Sequence, residues 1–227
     1  MALLALGPRL AGRGDPPVLV YEPDGMPVAL AVHYTGDAGP GALARGLARR
    51  WRMRGLRVVV VNSLRYFLAE KPPERQAADL ARLIDAHGAS ADGAPLPVLL
   101  SGFSFGADAA PFSYPLLRDE VRARVRLVSL ISPTPRIAFH STARSVLGLL
   151  DGTIAVAPAI AALPPALVLC TVGANDAANP CRALRGIARL EVPGGHRPHV
   201  DPALIADAVL DAFLSRTAPA PRPIRGG

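Results

Sequence analysis

Lysine is nearly missing from this 227-residue sequence: of its 25 basic residues only Lys71 is not an arginine. Against 18 acidic residues they leave a net charge of +7. Aromatic residues make up only 5%. The two denser basic runs, Arg45–Arg57 and Arg118–Arg126, hold too few of them for a base-stacking surface. No nucleic-acid partner is therefore expected. The runs read as solvated faces, with contact to anionic lipid headgroups as the alternative. No uncharged apolar run approaches the roughly 20 residues that span a bilayer. Met1–Leu10 is apolar but is broken by Gly7, Pro8 and Arg9. It has no basic leading region and no convincing cleavage site, so it makes a poor signal peptide and leaves a cytoplasmic location open.

Cysteine is scarce as well, with only Cys170 and Cys181. There is no C-x-x-C and no His/Cys set with zinc spacing, so neither a metal nor a cofactor is expected. The two cysteines stay thiols in a reducing compartment or pair in an oxidising one. Glycine and proline show no triplet period, which excludes collagen. What is plentiful is apolar material: 50% hydrophobic residues against 19% charged, ample for one core and far from disorder. The expected organisation is an N-terminal segment 1–16, one domain over 17–216, and a flexible proline-rich tail over 217–227.

Short apolar runs bounded by Pro, Asp and Gly predict strands at Val18–Tyr21 and Val28–His33. The continuous run Leu56–Asn62 has the composition of a strand buried on both faces of a parallel sheet. Further strands are predicted at Val98–Ser101, Val125–Ile131, Ala166–Val172 and Ala188–Val192. Helical spacing predicts helices at Gly41–Arg54, Pro73–His87, Phe105–Leu117 and Pro202–Arg216. The alternation implies a doubly wound, mostly parallel α/β sheet with helices on both faces. Ser132–Pro165 fits the alternation least and reads as an excursion above the sheet, a minimal cap at most.

The sharpest motif is Gly102-Phe103-Ser104-Phe105-Gly106, a G-x-S-x-G pentad between a predicted strand and a helix-compatible stretch. That context is the one a nucleophile elbow requires. The glycines leave room where side chains would strike the neighbouring strand and helix. The turn lifts the serine oxygen to the carboxyl end of the sheet and aims the Phe105 amide at an oxyanion formed there. The competing reading is a serine that merely caps a helix.

A serine hydroxyl needs a base to take its proton and an acid to orient that base. In the α/β-hydrolase fold these follow the serine in the order acid, then histidine. Asp176 comes just past the strand ending at Val172, and His196 just past the strand ending at Val192. Three such groups at three predicted strand ends point to a Ser104–Asp176–His196 triad. The alternatives are His199 as base, a metal held by His196, His199 and Asp201, and Asp176 as a helix cap. The glycine-rich turn after Val28–His33 supplies the second oxyanion amide, expected from Asp37, with Tyr34 and Thr35 as second choices.

With these residues in view, the chain resembles the VirJ/AcvB family of bacterial virulence proteins, a branch of the α/β-hydrolases, from Pro17 to Arg216. Ser104-Phe105-Gly106-Ala107-Asp108 and Pro111-Phe112 match its S-F-G-A-D and P-F signature. Pro193-Gly194-Gly195-His196 matches P-G-G-H, and Asn62 through Phe67 resembles its D-S-L-R-Y-F block. Departures are Thr35-Gly36-Asp37-Ala38-Gly39-Pro40 for S-G-D-G-G-W, Asn62 for the acid, and Arg197-Pro198-His199 after the histidine.

The resemblance implies an exported, periplasmic protein. AcvB-like members cleave the aminoacyl ester of lysyl-phosphatidylglycerol, and VirJ-like members are tied to type IV secretion. A small-molecule or lipid-headgroup ester is thus the expected substrate, with secretion-system proteins as further partners. The alternatives are a non-catalytic accessory binding protein and a general carboxylesterase. Cys170 and Cys181 match a pair bracketing the acid loop, which implies a disulfide. Arg65, as a phosphodiester contact, and Tyr66 are expected at the substrate mouth. Asp108 is expected to form a local ion pair or to attract an ammonium group.

Overall fold

A computed structural model describes residues 16–140 and 152–217. The signal-peptide question at Met1–Leu10, the apolar stretch Val146–Leu150 and the tail beyond Thr217 lie outside the described residues. The strands are β1 (Val18–Tyr21), β2 (Ala29–Tyr34), β3 (Leu56–Val61), β4 (Val98–Phe103), β5 (Val125–Ile131), β6 (Arg136–Ile137), β7 (Ile154–Ala155), β8 (Val168–Gly173) and β9 (Ala188–Val192). The helices are α1 (Ala42–Met53), α2 (Ser63–Tyr66), α3 (Pro73–His87), α4 (Phe105–Ser113), α5 (Asp119–Arg122), α6 (Ala157–Ala161) and α7 (Pro202–Thr217).

Seven strands form one sheet in the order β1-β3-β2-β4-β5-β8-β9. All pair in parallel except β1, which runs antiparallel to β3 on the outer edge. The β-branched run of β3 is buried along its length, apart from the half-buried Arg57, as expected of a strand covered on both faces. On one face, Leu30, Val32, Leu100 and Leu130 pack with Leu80 and Ile84 of α3 and Ala107 and Ala110 of α4. On the other, Ala31, Leu99 and Leu127 pack with Leu47 and Trp51 of α1 and with Val209 and Phe213 of α7. Two polar contacts join these last helices. Trp51 Nε1 donates to the Ala206 carbonyl at 3.0 Å, and Arg50 donates two bonds to Asp207 at 2.8 Å each.

His33 is buried on the same face, with Nδ1 3.1 Å from Ser101 Oγ. Burial pushes its pKa down to about 3, so the ring is neutral.

Three predicted boundaries move by two residues or more. β4 continues two residues past Ser101 and delivers the chain to the elbow. α4 ends at Ser113 and tightens into a 3₁₀ turn, Tyr114–Leu116, where Pro115 has no N–H to continue the ladder. Pro165–Leu167 forms a similar turn, so β8 begins only at Val168. The excursion between β5 and β8 contains a small antiparallel pair, Arg136 opposite Ala155 and Ile137 opposite Ile154, followed by α6. It packs over α4, where the rings of Phe112 and Phe139 meet edge to face at 5.2 Å.

Candidate active site

The pentad forms a sharp turn between β4 and α4. Ser104 has φ 51° and ψ −120°, a conformation that L residues rarely adopt and that persists only where the surroundings fix it. Its N–H donates to the Ile131 carbonyl at 2.9 Å, and its carbonyl accepts from the Asp108 N–H at 3.0 Å. Both flanking glycines are sterically required. A Cβ on Gly102 would lie 2.3 Å from the Gly106 backbone, and one on Gly106 would lie 2.4 Å from the Tyr34 carbonyl.

The three groups singled out in the sequence meet at the carboxyl end of the sheet. Ser104 Oγ lies 2.8 Å from His196 Nε2. His196 Nδ1 lies 3.9 Å from Asp176 Oδ2, close enough for an ion pair but longer than a hydrogen bond. The imidazole stacks on the Phe103 ring, with centroids 5.9 Å apart. Burial lowers the His196 pKa. Asp176 and Asp37 oppose that shift, and Arg197 reinforces it. His199 is exposed, and its amide donates to the Pro193 carbonyl. Among the described residues no group of three His, Cys, Asp or Glu side chains could hold a metal.

The acid is held by its turn. Asp176 N–H donates to the Gly173 carbonyl at 2.9 Å, and Arg182 Nε donates to the Asp176 carbonyl at 2.9 Å. Asn179 Nδ2 donates to Asp176 Oδ2 at 3.1 Å, while its own Oδ1 caps the next turn at Cys181 N–H. Nothing in the sequence marks Asn179 except its place three residues after the acid. Cys170 and Cys181 are joined in a disulfide, with Cα atoms 6.4 Å apart, so the acid lies inside a closed covalent loop. The acid and base loops touch through glycine: a Cβ on Gly173 would lie 2.0 Å from the Gly195 carbonyl.

A cavity of about 770 Å³ opens over Ser104. It is lined by Thr35–Gly39, by Pro133–Ile137, and by Asp176, His196 and Arg197. A Cβ on Gly36 would lie 3.5 Å from Ser104 Cβ, so the glycine turn passes close to that side chain. The Phe105 amide opens α4, and the helix itself offers it no acceptor. The Thr35 amide is engaged by the Val61 carbonyl at 3.1 Å. Asp37 is half-buried. Burial raises its pKa, against the N–H groups of Ala38 and of Asp37 itself.

Two expectations are corrected. Arg65 and Tyr66 are not among the residues lining the cavity. The turn after β3 is the short helix α2, capped by Asn62 Oδ1 accepting from the Arg65 N–H, and it turns Tyr66 inward. The Tyr66 hydroxyl donates to Asp79 Oδ2 at 2.8 Å, and its ring packs edge-on against Phe67. Arg65 is left exposed on the outer side. Asp108, for which a local ion pair is one expectation, forms none among the described residues and accepts from the Thr134 N–H.

A family model described as "Bacterial virulence protein (VirJ)" matches residues 28–217. The sequence matches no curated protein. Among solved structures, the fold resembles Est1E from Butyrivibrio proteoclasticus, with a TM-score of 0.59 at 14% identity over 89% of this chain and 94% of that one. MenH from S. aureus gives 0.60 at 10% identity over 88% and 99%. XC6422 from Xanthomonas campestris, described as an a/b serine hydrolase without lid, gives 0.55 at 18% identity over 90% of each chain. These neighbours share the α/β-hydrolase fold with the chain.

Proposed function

The chain belongs to the VirJ family of bacterial virulence proteins, and we propose that it is a serine ester hydrolase with Ser104 as nucleophile. The observation that carries this reading is the 2.8 Å contact between Ser104 Oγ and His196 Nε2, at a strained elbow on the floor of a cavity. His196 withdraws the hydroxyl proton as Ser104 attacks the ester carbonyl. The oxyanion is met by the amides of Phe105 and Asp37. Asp176 steadies the imidazolium, its 3.9 Å separation shortening as charge develops. Protonated His196 then gives its proton to the departing alcohol. Water, activated by the same base, frees the acyl group from Ser104.

The substrate we propose is the aminoacyl ester of an aminoacyl-phosphatidylglycerol. The family resemblance suggests it, and the charges around the cavity support it. Asp37, Arg136 and Arg197 are among the residues that line the cavity, signs that suit an ester between an ammonium and a phosphodiester. The disulfide supports a periplasmic location, since such bonds persist in oxidising compartments.

A fluorophosphonate probe tests the chemistry. Mass spectrometry is expected to find it on Ser104, and lysyl-phosphatidylglycerol is expected to turn over faster than short acyl esters. An unlabelled serine in folded protein would instead mark an accessory binding protein. Short esters cleaved preferentially would mark a general carboxylesterase.

The acid limb of kcat/KM supplies a second prediction. His196 must be neutral to accept the proton, and burial holds its pKa below the ordinary 6.5. Activity should therefore rise with pH through a midpoint below 6.5. Asp37→Asn removes a negative charge that favours the imidazolium, so it should move the midpoint lower still. A pH–rate profile of both proteins checks this; an upward shift in the variant would contradict the assignment of His196 as base.

A further inference from the structure

We infer that Asp108 is a neutral carboxylic acid in the resting protein, and that its proton sets the direction of a hydrogen-bond chain clamping one wall of the cavity to the nucleophile helix. Asp108 lies in the first turn of α4, with its side chain buried beneath the Pro133–Arg136 segment. The Thr134 N–H donates to Asp108 Oδ1 at 2.6 Å. Thr134 Oγ1 lies 2.6 Å from Asp108 Oδ2 and 3.0 Å from the Arg136 carbonyl oxygen.

A threonine hydroxyl has one proton, and a carbonyl oxygen can only accept. If Asp108 is ionised, both neighbours of the hydroxyl want the same proton and one contact has no donor. If Oδ2 carries a proton, the chain closes: Oδ2–H donates to Thr134 Oγ1, whose own proton goes to the Arg136 carbonyl. Every partner is then satisfied by a neutral group.

The surroundings favour the uncharged form. No arginine, lysine or histidine forms an ion pair with Asp108 among the described residues. Burial is the main cause that raises its pKa, outweighing the two Thr134 hydrogen bonds that lower it, and the charge it feels is that of another carboxylate, Asp37. Arg136 turns its guanidinium to the carbonyls of Gly152 and Thr153. On α3, Asp79 is engaged by Tyr66, Arg75 and Arg82. His140, Asp176, His196 and Arg197 line the same cavity as Asp108.

Asp108 touches no reacting atom in this reading; it is a positioning residue. Its amide holds the Ser104 carbonyl and its side chain holds the wall segment, so it fixes the distance between them.

Asp108→Asn keeps the chain intact, because the amide NH₂ donates to Thr134 Oγ1 and the amide oxygen accepts from the Thr134 N–H. Asp108→Ala breaks it, and Thr134→Val removes the relay. The alanine and valine variants should lose about tenfold in kcat, with a smaller change in KM and a lower melting temperature. The asparagine variant should restore most of both losses. An infrared difference between parent and Asp108→Asn at neutral pH should show a protonated-carboxyl C=O band. A carboxylate band in its place overturns the proposal, as does an asparagine variant as impaired as alanine. If Asp108→Ala does not fold, Thr134→Val against Thr134→Ser gives the same contrast, with rescue expected from serine. The turnover readout rests on the hydrolase reading. The infrared and melting readouts do not, so failure of that reading and failure of this one are distinguishable.

Discussion

Ser104→Ala is expected to lower ester turnover by about 10⁶-fold, the scale seen when the nucleophile of a serine triad is removed. The cavity, His196 and the Phe105 amide all remain, so KM should change little and the loss should fall on kcat. The far-ultraviolet circular dichroism of the variant should match that of the parent. The strained backbone adds a second, opposite effect. Holding a residue with a Cβ at φ 51° costs about 1–3 kcal/mol. Ser104→Gly should therefore be inactive and about 1 kcal/mol more stable, after allowing for the freedom glycine gains in the unfolded chain. Denaturant unfolding of the three proteins side by side measures both effects. A glycine variant clearly less stable than the parent would show that the turn is not strained.

The second large effect is expected at Gly106. An alanine there places its Cβ 2.4 Å from the Tyr34 carbonyl oxygen and 2.7 Å from the Thr35 carbonyl oxygen. Both are backbone atoms at the end of β2, which is paired with β3 and β4, so neither can rotate away. Either α4 lifts or the Thr35–Gly39 turn shifts, and both carry groups proposed to act on the substrate. Gly106→Ala should cost about 3 kcal/mol in stability, at the upper end for overpacking. It should also lower kcat/KM by about 10²-fold, because a shift near 1 Å is enough to misalign reacting groups. Gly25→Ala, where a Cβ meets nothing within 4 Å, should leave both quantities unchanged. Equal behaviour of the two variants would contradict the packing account.

Those glycines belong to the part of the fold that was readable in one dimension. A strand buried on both faces needs an unbroken β-branched run, and Leu56–Val61 shows one. Strand–turn–helix at the pentad follows from glycine where a Cβ has no room. The candidate triad was legible because each member lies just past a predicted strand, and parallel strands bring such positions to one rim.

Arg65 and Tyr66 satisfy the same rule and yet miss the cavity. Position after a strand fixes the rim but not the direction of the side chain. That direction came from the one-turn helix capped by Asn62 and from Asp79, a partner 13 residues away. Thr134 and Asn179 were invisible for a related reason. Their roles exist only once Asp108 and Asp176 have been placed beside them, and no local pattern records that contact. The pair β6–β7 has two residues per strand, too short for any alternation to register.

The proposed base is carried by the sheet's margin. Among the described residues β9 pairs with β8 alone, so His196 hangs from a strand with one neighbour. Such a border would ordinarily fray and take the imidazole away from the hydroxyl. Here the Ala174 and Asn175 amides hold the carbonyls of Val192 and Gly194 at 2.8 Å, and Arg189 grips the carbonyls of Cys181 and Arg182. The sulfur bridge fastens that same turn to the interior of β8. Peeling away the last strand would thus mean breaking these bonds to a cross-linked turn as well as the ladder with β8. The histidine proposed as base is fastened to a cross-linked turn rather than left on a free border.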